Sequence, residues 1–537
     1  MEKKGKLELT WVGKYEVEKL EPRILVEDKS KSYGDQSTKN MLIHGDNLLA
    51  LKALENEFAG KVKCIYIDPP YNTGNAFEHY EDGLEHSKWL SLIYERIVLL
   101  KNLLSDDGFF CCQIDDAEGA YLKVILDEIF GRDNYLSTFY VRVRYPNKTL
   151  KSDMDFHKEI EQIHIYRKRY GAIPNLPVET GSYEKFCYYI HEKSKGKLME
   201  LGGKKVEVFE KESYEIVRGD GSEDGLKEVW ASGTILDGNS SGRFFRDYLT
   251  GRNEVDGYGI LYKVYGIGDD KFDYRYFTGP KKAGATKGKY YQGVPIDKLK
   301  SGNVDRSVPI NNFYDLAGDF GNCRLEGGAD FRSGKKPEVL IKTILEFFSN
   351  PGDLVIDSFL GSGSTAAVAH KMGRQWIGIE MGDHCYSLCK TRLDNVIDGD
   401  KTGISKDMGW SGGGGYKFFE LAKPLLVKHP KIPVYILNPD YSWDMVCEAI
   451  CKIEGFTYAP VGDFHGYSSE NRFIHVTDEF VNSKYIMNLT KTLGERQSLL
   501  IYCIKHQADM MLPVNVEIKK IPKDLLSKCS FESEVEA

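Results

Sequence analysis

The sequence predicts an α/β protein: a doubly wound, mostly parallel sheet whose two halves stand in permuted order around a long insert. Three observations predict it. Short apolar runs alternate with amphipathic helical stripes from about residue 41 to 130. The same alternation returns from about 337 to 380. Between them, from about 135 to 330, Tyr, Gly, Lys and Arg become frequent and helical stripes rare.

Met41 to His44 reads as a strand ending at Gly45-Asp46, and Leu48, Leu49, Leu51 and Leu54 as the helix after it. Val62 to Ile67 is a second strand, running into Asp68-Pro69-Pro70-Tyr71. Ser87 is the expected cap of a long helix with Trp89, Leu90, Ile93, Ile97, Leu100 and Leu104 on one stripe, stopped by Gly108. Phe109 to Ile114 is a third strand, and Asp116 the expected cap of the helix carrying Leu122, Ile125 and Leu126. In the second block Pro337 opens a helix, Leu354 to Asp357 is a strand, a helix starts near Ser364, and Gln375 to Glu380 is a strand. Gly412 to Gly415 makes a joint before a separate α/β segment with strands near Val434–Leu437 and Leu499–Ile504. The expected divisions are an N-terminal arm (1–37), one half of the sheet domain (38–135), an insert (136–330), the other half (331–398) and a C-terminal accessory domain (399–537).

Hydrophobic residues make up 41% of the 537 and charged residues 28%, the balance of a globular chain able to bury a sizeable core. No run approaches the ~18 apolar residues of a membrane helix. Met1 to Lys6 has no apolar stretch behind it, so a cytoplasmic protein without a signal peptide is expected. The eleven cysteines form no CxxC pair, and the i,i+4 pairs Cys385/Cys389 and Cys447/Cys451 read as apolar helix faces, so no metal is expected. Asp115-Asp116 reads as a helix cap before a metal site. The net charge of −8 argues mildly against a small nucleic-acid-binding module but leaves room for one basic cleft.

Two motifs carry chemistry. Asp357-Ser358-Phe359-Leu360-Gly361-Ser362-Gly363-Ser364-Thr365 follows a strand and opens a helix, and Glu380 ends the next strand. Glycines let a backbone approach a ligand, the helix N-terminus favours an anionic group, and a strand-end acid holds ribose hydroxyls. Alone, this says nucleoside cofactor. Asp68-Pro69-Pro70-Tyr71 is sharper: a rigid turn at the carboxyl end of a strand, with an acceptor before it and a flat ring after it. Asp68 and the carbonyl of Pro69 are placed to accept both N–H bonds of an adenine amino group while Tyr71 stacks on the ring. Such contacts draw the nitrogen toward sp3 and free its lone pair for a methyl group.

Together the two motifs resemble the amino-methyltransferases of DNA, and their order resembles the β class. The nearest likeness is to modification (Mod) subunits of Type III restriction–modification systems, carried by residues 9–14, 42–51, 66–74, 105–108, 334–337 and 412–415. The resemblance implies a permuted Rossmann-like methyltransferase sheet, S-adenosylmethionine as cofactor, double-stranded DNA as substrate, a homodimer, and a helicase–nuclease restriction subunit as partner. Residue by residue it implies that Asp46 accepts from the cofactor's adenine, Glu380 holds its ribose, Lys336 lies with the glycine loop near its methionine end, and Asn47 and Phe359 line the pocket. Asp357, Gly361, Gly363 and Thr365 belong to the same expected site. Asp68, in place of the Ser usual in cytosine-N4 enzymes, favours adenine N6. Cytosine N4 is the alternative, and a non-catalytic DNA-binding scaffold a second one.

The insert is where base sequence would be read, so it is expected to be a target-recognition domain. Arg142, Arg144, Tyr145, Lys148 and Lys151 form one basic, aromatic-interleaved run, and Arg243 to Arg246 another. Lys281, Lys282, Lys287 and Lys289 lie in a Gly-rich loop. Lysines suit phosphates and arginines suit guanine edges.

Overall fold

The computed structural model describes residues 7–15, 19–72, 85–146, 156–179, 183–231, 240–285, 287–296, 306–331, 334–494 and 496–531. The chain forms two units, Met1–Asn175 with Asn311–Ala537, and Leu176–Ile310.

In the first unit the elements run β1 (Leu25–Glu27), β2 (Tyr33–Gly34), β3 (Met41–His44), α1 (Asn47–Phe58), β4 (Val62–Ile67), α2 (His86–Leu103), β5 (Leu104–Ile114), α3 (Gly119–Phe130), β6 (Tyr135–Arg142) and β7 (Ile160–Arg167). After the second unit come β8 (Phe313–Asp315), α4 (Glu338–Phe348), β9 (Leu354–Asp357), α5 (Ser364–Lys371), β10 (Gln375–Glu380), α6 (Lys390–Ile397) and β11 (Gly415–Leu421). These strands make one 11-stranded sheet in the order β1-β11-β3-β10-β9-β4-β5-β7-β6-β8, with β2 on β11. From β11 to β5 every neighbour is parallel. Strand β7 enters antiparallel between β5 and β6. Parallel strands covered on both faces must be apolar throughout, which is why β4 reads Val-Lys-Cys-Ile-Tyr-Ile with five of its six residues buried. Ile43, Ile65, Trp89, Ile93, Leu126, Ile356 and Ile377 share one core.

The parallel register has one consequence for function. Ile65 stands beside Ile356, Asp357 beside Gly378, and Glu380 beside His44. Asp46, Glu380, Asp357 and Asp68 therefore leave four neighbouring strands at the same edge of the sheet, where open α/β sheets place their ligands.

The local expectations need several corrections. Ser87 does not cap α2; Glu85 occupies that position and accepts from the Ser87 hydroxyl. Asp116 does not cap α3, which begins after Glu118, while Asp115 accepts from the backbone of Ala117 at 2.8 Å. Leu104 is not on the α2 stripe but begins β5, and Gly108 does not end α2. Gly108 lies inside β5, where a Cβ would meet the carbonyl of Val62 at 2.9 Å, so the strand pairing requires glycine. Pro337 takes the position before the first helical residue of α4.

The boundaries also shift. Residues 135–142, 160–167 and 313–315 belong to the main sheet, so the region expected as insert from 136 to 330 exceeds the second unit at both ends. Strand β11 pairs parallel with β3, and β1 and β2 pair with β11, so the sheet also takes in part of the expected arm and of the expected C-terminal segment. Beyond β11, strands Thr457–Val461, Phe464–Ser469, Arg472–Val481, Ser498–His506 and Val516–Lys520 form a second, five-stranded sheet. Cys447 and Cys451 face its apolar core with Ile450, Ile474 and Tyr502.

The Leu176–Ile310 unit is built on a six-stranded antiparallel sheet, in the order Lys197–Leu201, Lys204–Phe209, Leu261–Tyr265, Tyr274–Thr278, Gly288–Gln292 and Lys227–Ala231. Val206, Phe244, Phe245, Tyr262, Val264 and Phe277 form its core.

Candidate active site

Strand β4 delivers Asp68 at its carboxyl end, and the two prolines turn the chain so that Tyr71 folds back. The Tyr71 hydroxyl donates to Asp68 Oδ1 at 2.7 Å. The indole of Trp89 donates to the carbonyl of Pro70 at 2.8 Å and pins the turn to α2. The next residue, Asn72, has a φ of 56°, a left-handed conformation that Asn tolerates better than most residues, and its amide donates to Glu118 at 2.9 Å.

Asp68 has company that the sequence did not disclose. Lys336, just before α4, places its ammonium 3.1 Å from Asp68 Oδ2 and 3.3 Å from Glu161 Oε2, and 5.0 Å from the centre of the Tyr71 ring. Glu161, on β7, also accepts from the Tyr71 hydroxyl at 2.9 Å and from the Gln113 amide at 2.5 Å. Gln113, on β5, accepts in turn from the Tyr66 hydroxyl at 2.5 Å. Two carboxylates thus share one ammonium in a largely dry site. Burial pushes the Asp68 carboxyl above its ordinary range; the Lys336 ammonium opposes that and the Glu161 charge adds to it. Burial also pushes on Glu161, but the Lys336 ammonium and the bonds from Gln113 and Tyr71 outweigh it and hold the carboxyl below its usual value. Burial works to lower the Lys336 ammonium, yet the two carboxylates keep it raised and charged.

One strand over, β9 ends in Asp357. It accepts from the Thr365 hydroxyl at 2.6 Å and from the Phe359 backbone at 2.9 Å, so both residues shape the glycine loop. Burial pushes Asp357 up to about 7. Gly361 and Gly363 have φ of 55° and 79°, in the region that favours glycine. Glu380 closes the loop from β10: its two oxygens accept from the backbones of Gly361 at 2.8 Å and Gly382 at 3.0 Å. Beneath the loop, the fully buried guanidinium of Arg392 donates to the Ser364 hydroxyl at 2.7 Å and to Glu338 at 2.9 Å.

The remaining expected cofactor residues divide. Asn47 donates to the carbonyl of Ser358 at 2.7 Å and so ties α1 to the loop. Asp46 caps α1 through Leu49 at 3.0 Å and pairs with Arg96 at 3.1 Å. Phe359 packs into the main core. Lys336 sends its backbone carbonyl to Ser364, at the start of α5, but its ammonium to Asp68. A nucleoside cofactor fits this donor set. A Cβ on Gly361 would meet nothing closer than the Phe359 carbonyl at 3.9 Å, so open space lies over the loop. The buried hydroxyl of Ser358 has no partner among the described residues. Glu380 Oε1 also faces His384 Nε2 at 3.2 Å, so the carboxylate is held at the strand end where a ribose would lie.

A family model described as DNA methylase matches residues 62–391, a span that contains both Asp68–Tyr71 and Asp357–Glu380. The chain belongs to the DNA methylase family. Among its relatives is the "Probable type III restriction-modification enzyme HindVI Mod subunit" of Haemophilus influenzae, 34% identical over 419 residues, which are 72% of this chain and 54% of the relative. The type III restriction–modification enzyme EcoPI Mod subunit of Escherichia phage P1 is 26% identical over 464 residues, 74% of this chain and 65% of that one. The chain thus matches about half to two thirds of the length of these relatives.

In this member of the family the basic residues expected to meet DNA are dispersed. Arg142 lies in the main sheet and pairs with Glu159 at 2.9 Å and Asp315 at 3.1 Å. Arg144 donates to the carbonyl of Lys158 at 3.1 Å. Lys148 and Lys151 fall outside the described residues. In the second unit Arg243, Lys281, Lys282 and Lys287 are exposed. Lys289 instead pairs with Glu228 and lies 4.6 Å from the centre of the Trp230 ring. Trp230, 62% exposed, was not singled out from the sequence. Neither were Glu161 and Gln113. Each is one of several polar residues in its strand, a signal that sequence alone assigns to many places.

Proposed function

We propose that the chain is a site-specific DNA methyltransferase that moves a methyl group from S-adenosylmethionine to the N6 of adenine in double-stranded DNA. The observation that carries this reading is the adjacency of β4 and β9, which sets Asp68-Pro69-Pro70-Tyr71 beside the glycine loop on one sheet edge. Glu380 and the loop backbone hold the nucleoside end of the cofactor. When bound, S-adenosylmethionine supplies an electrophilic sulfonium methyl. Asp68 and the carbonyl of Pro69 accept the two N–H bonds of the amine, and Tyr71 stacks on the base. A site at a sheet edge cannot reach a stacked base, so the adenine turns out of the duplex.

The strand that opens a nucleotide-binding fold comes after β4 in the chain, which supports a circularly permuted methyltransferase sheet. The exposed lysines of the Leu176–Ile310 unit support its assignment as target-recognition domain, and the five-stranded C-terminal sheet is the accessory domain. The relatives' names support a modification subunit of a Type III system; the homodimer, the cytoplasmic setting and the helicase–nuclease restriction partner rest on the family resemblance alone. No helix among the described residues is long and apolar enough to cross a membrane.

Incubation with DNA and methyl-labelled cofactor, followed by base analysis, tests the reading. Label in N6-methyladenine supports it. Label in N4-methylcytosine establishes the alternative chemistry, and cofactor binding without transfer a scaffold. Base extrusion is checked by 2-aminopurine at the target position, which brightens on binding if the base leaves the stack.

A further inference from the structure

In the site described above, Asp68 is not free to receive an amine. Its Oδ1 takes the Tyr71 hydroxyl and its Oδ2 faces the Lys336 ammonium. Both donors must let go before the base arrives, and a buried ammonium or hydroxyl left without an acceptor is unfavourable. Glu161 removes that cost, because its Oε2 already stands 2.9 Å from the Tyr71 hydroxyl and 3.3 Å from Lys336 Nζ.

We propose that Glu161 is a positioning residue of the methyl transfer: it takes over Lys336 and the Tyr71 hydroxyl when the target amine displaces them from Asp68. The Gln113 amide holds Glu161 in place, and the Tyr66 hydroxyl holds Gln113. This assignment rests on the proposed methyltransferase reading. It explains why an acid on β7 sits inside a site made from β4 and β9. A lone Lys336–Asp68 pair would mask the acceptor; a second carboxylate divides the ammonium's attraction and keeps Asp68 available.

The charged and titratable groups around Asp68 are Lys336, Glu161 on β7, Tyr71 and Tyr66 from β4, Cys112 on β5 and Asp357 on β9. Of these only Glu161 shares both donors with Asp68. Removing its charge leaves Lys336 wholly to Asp68, which lowers the Asp68 proton affinity and tightens the pair that must open.

The test compares the full-length wild type, Glu161→Gln and Glu161→Asp by cofactor calorimetry and by the pH dependence of kcat for adenine methylation. Glu161→Gln is expected to keep its cofactor Kd within about twofold, to lose ~10–100-fold in kcat, and to move the acid limb of the profile to lower pH. Glu161→Asp keeps the charge and is expected to restore the position of the limb. An active wild type whose acid limb stays in place in Glu161→Gln would overturn the assignment. So would a loss of cofactor affinity matching the loss of kcat, which marks a merely structural role. Absence of adenine methylation by the wild type would overturn the reading beneath it and the assignment together.

Discussion

The ammonium of Lys336 stands 3.1 Å from the carboxylate of Asp68 and joins the two halves of the sheet domain at the strand edge. The backbone of the same lysine receives the Ser364 hydroxyl at the first turn of α5. One residue therefore touches both motifs, the Asp68–Tyr71 turn and the glycine loop.

Asp68→Ala is expected to abolish methyl transfer, with a loss of at least ~10²-fold, because the developing charge on the amine loses its acceptor. Folding should survive, since Lys336 retains Glu161 as a partner. Labelled-methyl incorporation checks the first point, and calorimetry with S-adenosylmethionine checks that the cofactor still binds.

Glu380→Ala should weaken cofactor affinity by roughly 1–3 kcal/mol or more, since the ribose loses its acceptor and the Gly361 and Gly382 backbones lose theirs. Gly361→Val should do the same by another route. Its φ of 55° is strained for a β-branched residue, which costs about 1–3 kcal/mol, and the new side chain enters the space over the loop. Unchanged Kd in both variants would contradict the placement of the cofactor.

Asp357 makes a pH prediction with a definite sign. Its folded-state pKa, about 7, lies above the ordinary carboxyl value of 3.8. The stability it contributes is therefore complete below its unfolded pKa and is lost as pH rises through about 7. Asp357→Asn cannot ionise. The Tm of the wild type should fall relative to that of Asp357→Asn between about pH 4 and 8, measured side by side so that other groups cancel.

Replacing Lys281, Lys282 and Lys287 together should weaken binding to all DNA sequences and reduce the slope of log K against log salt by up to roughly 0.9 per lost phosphate contact. Lys289 should contribute less, because Glu228 already neutralises it. Exchanging residues 176–310 for the corresponding unit of a relative should instead change the methylated sequence and leave the adenine chemistry intact. Fluorescence anisotropy across a salt series and sequencing of modified bases separate the two effects. An unchanged target sequence in the exchange variant would place specificity elsewhere.

What the sequence determined by itself was local. Val62–Ile67 and Leu354–Asp357 are mostly apolar runs because parallel strands are buried on both faces, and the residues that follow each run must lie at a strand end. That places Asp68, Tyr71, the glycine loop and Glu380 at strand ends, the residues on which the proposed chemistry rests. The tertiary structure decided which distant residues meet there. The family resemblance places Lys336 toward the glycine loop, and nothing in the sequence marks Glu161 or Gln113, because their meeting depends on β7 entering antiparallel beside β5. Arg142 and Lys289 carry the expected charge but spend it on Glu159, Asp315 and Glu228, partners brought by strand pairing and packing between segments far apart in the chain. A strand's neighbours are chosen by the burial of the whole sheet, and no window of sequence contains that choice.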